Sequence, residues 1–217
     1  MSVRTKLTET RPAGTFPAGT GFFVLDGELF LANAHTVLSC RSIAITANDG
    51  SQVLAGVVGI DARIDAAILR PDSNPGRGLA LAQGRNGDQV AVVGYPDIAA
   101  TLGPAAISTG EVLNAGGSSP NELVVLTAEL RPGGSGSAVI AGDGSVAGLI
   151  IGRRNSTTGV AASAAQLQDF LSRYGFGPSN SLAGRAGQIF GGRSSVPLNP
   201  TSLDQLAQLV RPVQCAN

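Results

Sequence analysis

The chain has 217 residues, 43% hydrophobic and 14% charged, with 15 basic side chains against 15 acidic ones. That length allows one large domain or two small ones with a real core. The even charge balance leaves neither a nucleic-acid footprint nor an acidic solvating tail, and no stretch reaches the roughly 18 apolar residues of a membrane span. Thirty Gly, no Trp and many short Val/Ile/Leu/Ala runs broken by Gly, Asp, Asn or Pro describe an all-β chain with little helix.

The N-terminus, MSVRTKLTETRPAG, is polar and lacks the apolar core of a signal peptide. The chain is therefore expected to be cytoplasmic, or periplasmic or secreted if an export signal or membrane anchor has been removed. From 19 to 38, GTGFFVLDGELFLANAHTVL contains two apolar strands around an Asp26-Gly27 turn, a strong hairpin signal, with His35 close behind. Further strands are expected at 42–49, 52–61 and 65–71. PDSNPGRG (71–78) breaks the pattern as a linker between two halves.

A second set follows at 89–96, 105–114, 122–130, 137–153 and 159–164. AAQLQDFLSRYG then places apolar positions at helical spacing and stops at Gly175, predicting a closing helix over 164–174. The expected architecture is all-β: two packed six-stranded antiparallel β-barrels, one over about 15–71 and one over about 80–165, closed by that helix. Residues 175–217 are read as an irregular C-terminal extension, wrapped on the body or loosely ordered, with one short amphipathic stretch at 202–210. The 42 residues after Gly175 are too few for a PDZ domain.

His35 is the only histidine. A lone His is by default a packed or solvent-exposed ring. Asp65 opens the apolar strand DAAIL, where a carboxylate held partly buried needs a partner that an imidazole N–H can supply. GGSGSA (133–138) reads alone as a Gly/Ser turn. It also offers what acyl transfer needs: a serine hydroxyl between glycines that permit a sharp turn, and backbone N–H groups for an oxyanion. Ser135 is the better placed serine, since Ser137 already begins the next strand.

Three segments together resemble the chymotrypsin-like (trypsin-like) serine proteases, in particular the bacterial HtrA/trypsin-2 type. FLANAHTV is similar to the family's TNAHVV, DAAIL to DLALL, and GGSGSAVI to GNSGGPL. The order His, Asp, Ser is that of the chymotrypsin-type triad, and the likeness runs over roughly 15 to 174. It departs from the usual wording at Gly134, Ser137 and Ala138. The resemblance implies a serine endopeptidase acting on protein or peptide substrates without metal or cofactor. Ser135 would be the nucleophile, His35 the base, Asp65 the orienting carboxylate, and the N–H groups of Gly133 and Ser135 the oxyanion hole. It implies a substrate pocket with Glu129 at its base and Ile151, Gly152 and Arg153 as its wall. A carboxylate there would favour Arg or Lys before the scissile bond, whereas Glu129 in solvent, or paired with Arg131, Arg153 or Arg154, would not. The alternative is a catalytically silent protease-fold protein that serves as a binding or regulatory module.

Cys40 and Cys215 are the only cysteines, lie 175 residues apart and fit no metal pattern. They are one disulfide or two free thiols. A bond would pin the end of the tail onto the first barrel.

Overall fold

The computed structural model of the protein describes residues 15–96, 104–131, 133–177 and 200–216. Five strands form in the first third of the chain: Thr15–Val24 (β1), Leu29–Ala32 (β2), Ser42–Thr46 (β3), Gln52–Asp61 (β4) and Ala66–Pro71 (β5). Six follow: Gln89–Gly94 (β6), Ala106–Asn114 (β7), Val124–Ala128 (β8), Ala138–Ala141 (β9), Val146–Asn155 (β10) and Thr158–Ser163 (β11). A last strand, Val210–Ala216 (β12), ends the described chain; among the described residues the α-helices are Ala34–Val37 (α1), Ala164–Arg173 (α2) and Pro200–Ala207 (α3), and Leu25–Gly27 forms a 3-10 turn. The strands close into two antiparallel barrels, ordered β1-β12-β3-β4-β5-β2 and β10-β11-β8-β7-β6-β9. This is the all-β, two-barrel architecture expected from strand counting.

Side chains alternate across a strand with period 2, and several strands here are apolar on both faces. Phe23, Phe30, Ala67 and Leu69 fill the first barrel. Their neighbours Phe22, Leu29, Leu31, Ala66 and Ile68 point the other way, into an apolar layer shared with Ala91, Val93, Ala138 and Ile140 of the second barrel. Val90, Val92 and Val139 fill the second lumen. Strands between two apolar layers must read as unbroken hydrophobic runs, as FFV, LFLA, AAIL and VAVV do.

Helix α2 closes the same layer with Leu167 and Phe170, both fully buried. It starts at a capping box: Ser163 Oγ accepts the Gln166 N–H at 3.1 Å, and Gln166 Oε1 accepts the Ser163 N–H at 2.8 Å. Its last turn is tied to the first barrel through Asp61, whose carboxylate accepts bonds from Arg63 (2.7 Å to Nη2) and from Arg173. The hydrogen bonds from Arg63, with those from Arg173, hold the Asp61 carboxyl down at a pKa of about 2, from an ordinary 3.8.

The tail departs from its expected irregularity, and the division that ended the fold at residue 174 is corrected. Residues 15–71 supply only five strands of the first barrel; the sixth is β12, paired with β1 from Phe22↔Val210 to Thr15↔Ala216 and with β3 from Ile45↔Val213 to Ser42↔Ala216. Without it β1 and β3 would expose two rows of unpaired backbone groups. Two further ties hold the strand. Cys215 is disulfide-bonded to Cys40, with a Cα–Cα separation of 5.2 Å. Arg211 is buried, donating to the carbonyls of Thr46 and Ala47 at 2.7 Å each and to Tyr95 Oη at 3.0 Å. Much of the remaining tail, 178–199, lies outside the described residues.

Two outcomes follow from these ties. Cys215→Ala, or reduction of the disulfide, is expected to lower unfolding free energy by up to about 5 kcal/mol, the chain-entropy value for so long a loop, read from urea melts with and without reductant. Because the Asp61 pKa is depressed on folding, its contribution of roughly 1–2 kcal/mol is present above pH 3.8 and is lost as the pH falls towards about 2. Asp61→Asn should therefore flatten the acid limb of stability against pH in that window.

Candidate active site

His35 sits in the single turn of α1, directly after β2, and Asp65 immediately precedes β5, the strand paired with β2. The pairing brings the two together. His35 Nδ1 lies 2.6 Å from Asp65 Oδ2, and the His35 backbone N–H donates to Asp65 Oδ1 at 3.0 Å. A carboxylate only accepts, so Nδ1 carries the proton and the Nε2 lone pair is left for another donor. The ring is 52% exposed and the Asp65 side chain 25%, so the pair opens onto solvent or substrate.

Asp65 adopts φ +49, a left-handed conformation uncommon outside glycine. Its carbonyl is clamped by Asn33 Nδ2 at 2.9 Å and by the Ala34 N–H at 3.3 Å, which holds the strained backbone and aims the carboxylate at His35. Asn33 is fully buried. This positioning role was not singled out in the sequence, although Asn33 stands two residues before His35 in the quoted motif.

Ser135 lies in the turn before β9, on the second barrel, half-buried. The Thr20 N–H of β1 donates to Ser135 O at 2.9 Å, and Gly19 lies between Thr36, the neighbour of His35, and that same carbonyl. The serine loop therefore packs against the strand that adjoins α1. Ser137 is different: it is 3% exposed and its Oγ–H donates to Gly134 O at 2.7 Å, so it braces the turn. Gly133 has φ +89, and Gly134 N–H donates to Arg131 O at 3.3 Å, closing a tight turn. Among the described residues no carbonyl accepts from the N–H of Gly133 or of Ser135. Gly136 has φ +86, and a β-carbon there would fall 1.8 Å from Thr20 O.

A small pocket of about 80 Å³ adjoins Ser135, with Leu130 and Ile150 as apolar walls and Gly133, Gly152 and Arg153 around them. Of the expected pocket residues, Gly152 and Arg153 line it. Glu129 is exposed and lines an adjoining cleft of about 260 Å³ with Ile107 and Ser108, and Leu130, Arg131 and Gly134 border both. Ile151 packs into the inter-barrel layer. Glu129 is exposed where its neighbour Leu130 is buried, and a bulge in β10 between Ile150 and Gly152 breaks the alternation at Ile151. The apolar wall residues Leu130 and Ile150 were missed for that reason. Among the described residues no group of three or more His, Cys, Asp or Glu is placed to hold a metal, and no helix is long and apolar enough to cross a membrane.

Two antiparallel barrels, with a His–Asp pair on the first and a glycine-flanked serine on the second, define a chymotrypsin-fold peptidase domain. The trypsin-like peptidase domain family model matches residues 19–149, and the chain belongs to that family. Curated relatives include the probable periplasmic serine endoprotease DegP-like of Pseudomonas fulva, 30% identical over 60% of this chain and 28% of that protein. Serine protease HTRA4 of Homo sapiens is 28% identical over 72% of this chain and 35% of that protein. The chain thus spans about a third or less of the curated relatives it matches. Among solved structures, the HtrA-type protease AlgW with a decapeptide aligns with a TM-score of 0.64 at 20% identity, covering 72% of this chain and 51% of that one. The Rv3671c protease of M. tuberculosis in its active form aligns at 0.62 and 25% identity, covering 72% and 73%.

Gly136→Ala is expected to lose at least about 2 kcal/mol of stability, from the clash with Thr20 O and the positive φ together. Gly152→Ala, whose added β-carbon meets nothing within 4 Å, should stay within about 0.5 kcal/mol of the parent in the same urea titration.

Proposed function

We propose that this chain is a serine endopeptidase that hydrolyses peptide bonds through His35, Asp65 and Ser135 by way of an acyl-enzyme. The observation that carries the reading is the 2.6 Å contact between His35 Nδ1 and Asp65 Oδ2, made beside the loop that holds Ser135. Ser135 Oγ attacks the scissile carbonyl while His35 Nε2 takes its proton. The oxyanion that forms is met by the N–H groups of Gly133 and Ser135, which no described carbonyl occupies. His35 then returns the proton to the leaving amine, and Asp65 stabilises the imidazolium in the interval. Water repeats the cycle on the acyl-enzyme, with the proton passing from water to His35 and back to Ser135 Oγ. The substrates are proteins or peptides, and the mechanism calls on no cofactor.

Family membership supports the reading, as do the burial of Ser137 and the half-exposure of Ser135, which leave one serine in the loop able to meet a substrate. A fluorophosphonate probe should label the wild-type chain at Ser135. His35→Ala and Ser135→Ala should each lower labelling and peptidase rate by about 10⁴-fold or more, because triad members act as a unit. Labelling that survives Ser135→Ala would overturn the assignment, and a wild-type chain that takes no label would be a binding module.

A further inference from the structure

The pocket beside Ser135 has an unusual charge for its size. Two arginines, Arg131 and Arg153, are among its lining residues, and no carboxylate is. Among the described residues neither arginine forms an ion pair; the carboxylate nearest in sequence, Glu129, faces the adjoining cleft. Arg153 Nη1 donates to the backbone oxygen of Leu130 at 3.3 Å. That bond anchors the planar head against a wall of the pocket while its other N–H groups have no partner among the described residues. An arginine held this way presents a fixed fork to an incoming acceptor.

We propose that this pocket selects an acidic residue, Glu or Asp, immediately before the scissile bond, with Arg153 as the specificity-determining residue. The inference rests on the endopeptidase reading above and deepens it. Leu130 and Ile150 cover the methylenes of such a side chain, and its carboxylate meets Arg153 in a charge-assisted pair. A Lys or Arg side chain would enter a volume of about 80 Å³ lined by two arginines and no carboxylate, which repels it. The same volume leaves little room for a large aromatic ring. An apolar residue fits but leaves the guanidinium contact unmade. The selectivity expected is the reverse in sign of the acidic pocket that Glu129 would have built.

The test uses the full chain and a set of peptidyl phosphonate esters that differ only in the side chain occupying this pocket: Glu, Gln, Val and Arg. Second-order inactivation rates are measured at pH 7, after a generic fluorophosphonate has shown that Ser135 is labelled. The Glu reagent is expected to react at least about tenfold faster than its uncharged isostere Gln and than Val, with Arg slowest. Arg153→Leu should bring the Glu:Gln ratio to near one, and Arg153→Glu should make the Arg reagent the fastest; Arg153 is exposed, so neither change disturbs the core. Generic labelling with Val or Arg preferred, or a Glu:Gln ratio unchanged in Arg153→Leu, overturns this specificity and leaves the endopeptidase reading standing. Absence of generic labelling overturns both.

Discussion

Closure of the first barrel by β12 is the constraint on which the rest of the structure depends. Five consecutive strands leave β1 and β3 as open edges, and an open edge is a row of unsatisfied donors and acceptors. The strand that fills the gap comes from the far end of the chain, after the whole second barrel has been made. Closing so long a loop is entropically costly, and the structure answers with a disulfide at one end of β12 and a buried arginine near the other. β1 is paired on both sides as a result, and β1 is the strand that touches the serine loop.

The candidate active site inherits its geometry from that closure. His35 and Asp65 are brought together within one barrel by the pairing of β2 with β5, a local arrangement. Ser135 belongs to the other barrel, so its position relative to His35 is set by how the barrels pack. The shared apolar layer of Phe22, Leu31, Ile68, Val93 and Ile140 supplies the bulk of that fixation, and Thr20 supplies its fine register. The Thr20 N–H holds the Ser135 carbonyl at 2.9 Å, while its hydroxyl accepts the Tyr95 N–H at 3.0 Å. Tyr95 in turn receives Arg211 of β12. The last strand of the chain and the serine loop are thus linked through Tyr95, which meets Arg211 by its hydroxyl and Thr20 by its backbone N–H.

Both barrels place bulk on two faces of the same strands, which explains why so little polar alternation is visible in the central runs. The exceptions are informative. At the rim beside the serine the regular pattern breaks down, and the lining takes Leu130 and Ile150 while Glu129 and Ile151 lie elsewhere. Bulges in β10 on either side of Gly152 and Arg153 further shift which residues face the serine. A pocket built at a bulged rim is therefore not assigned by counting back from the nucleophile or by taking consecutive residues as a wall.

The sequence by itself determined the all-β class, the segments that hold eleven of the described strands, and the closing helix with its end at Gly175, and it pointed to Ser135 rather than Ser137 as the candidate nucleophile beside His35 and Asp65. Each of these is encoded locally, in hydrophobic period, turn residues and glycine-flanked motifs, so a short window suffices to read it. Only the tertiary structure decided that residues 210–216 complete the first barrel, that Cys40 and Cys215 are bonded, and that Asn33 bonds the Asp65 carbonyl, Thr20 the Ser135 carbonyl and Arg211 the Tyr95 hydroxyl. Those features join residues from about 30 to 175 positions apart. A strand such as VRPVQCA, with Pro, Arg and Gln among four small or apolar residues, has no strong period of its own. It becomes a strand because two unpaired edges are waiting for it.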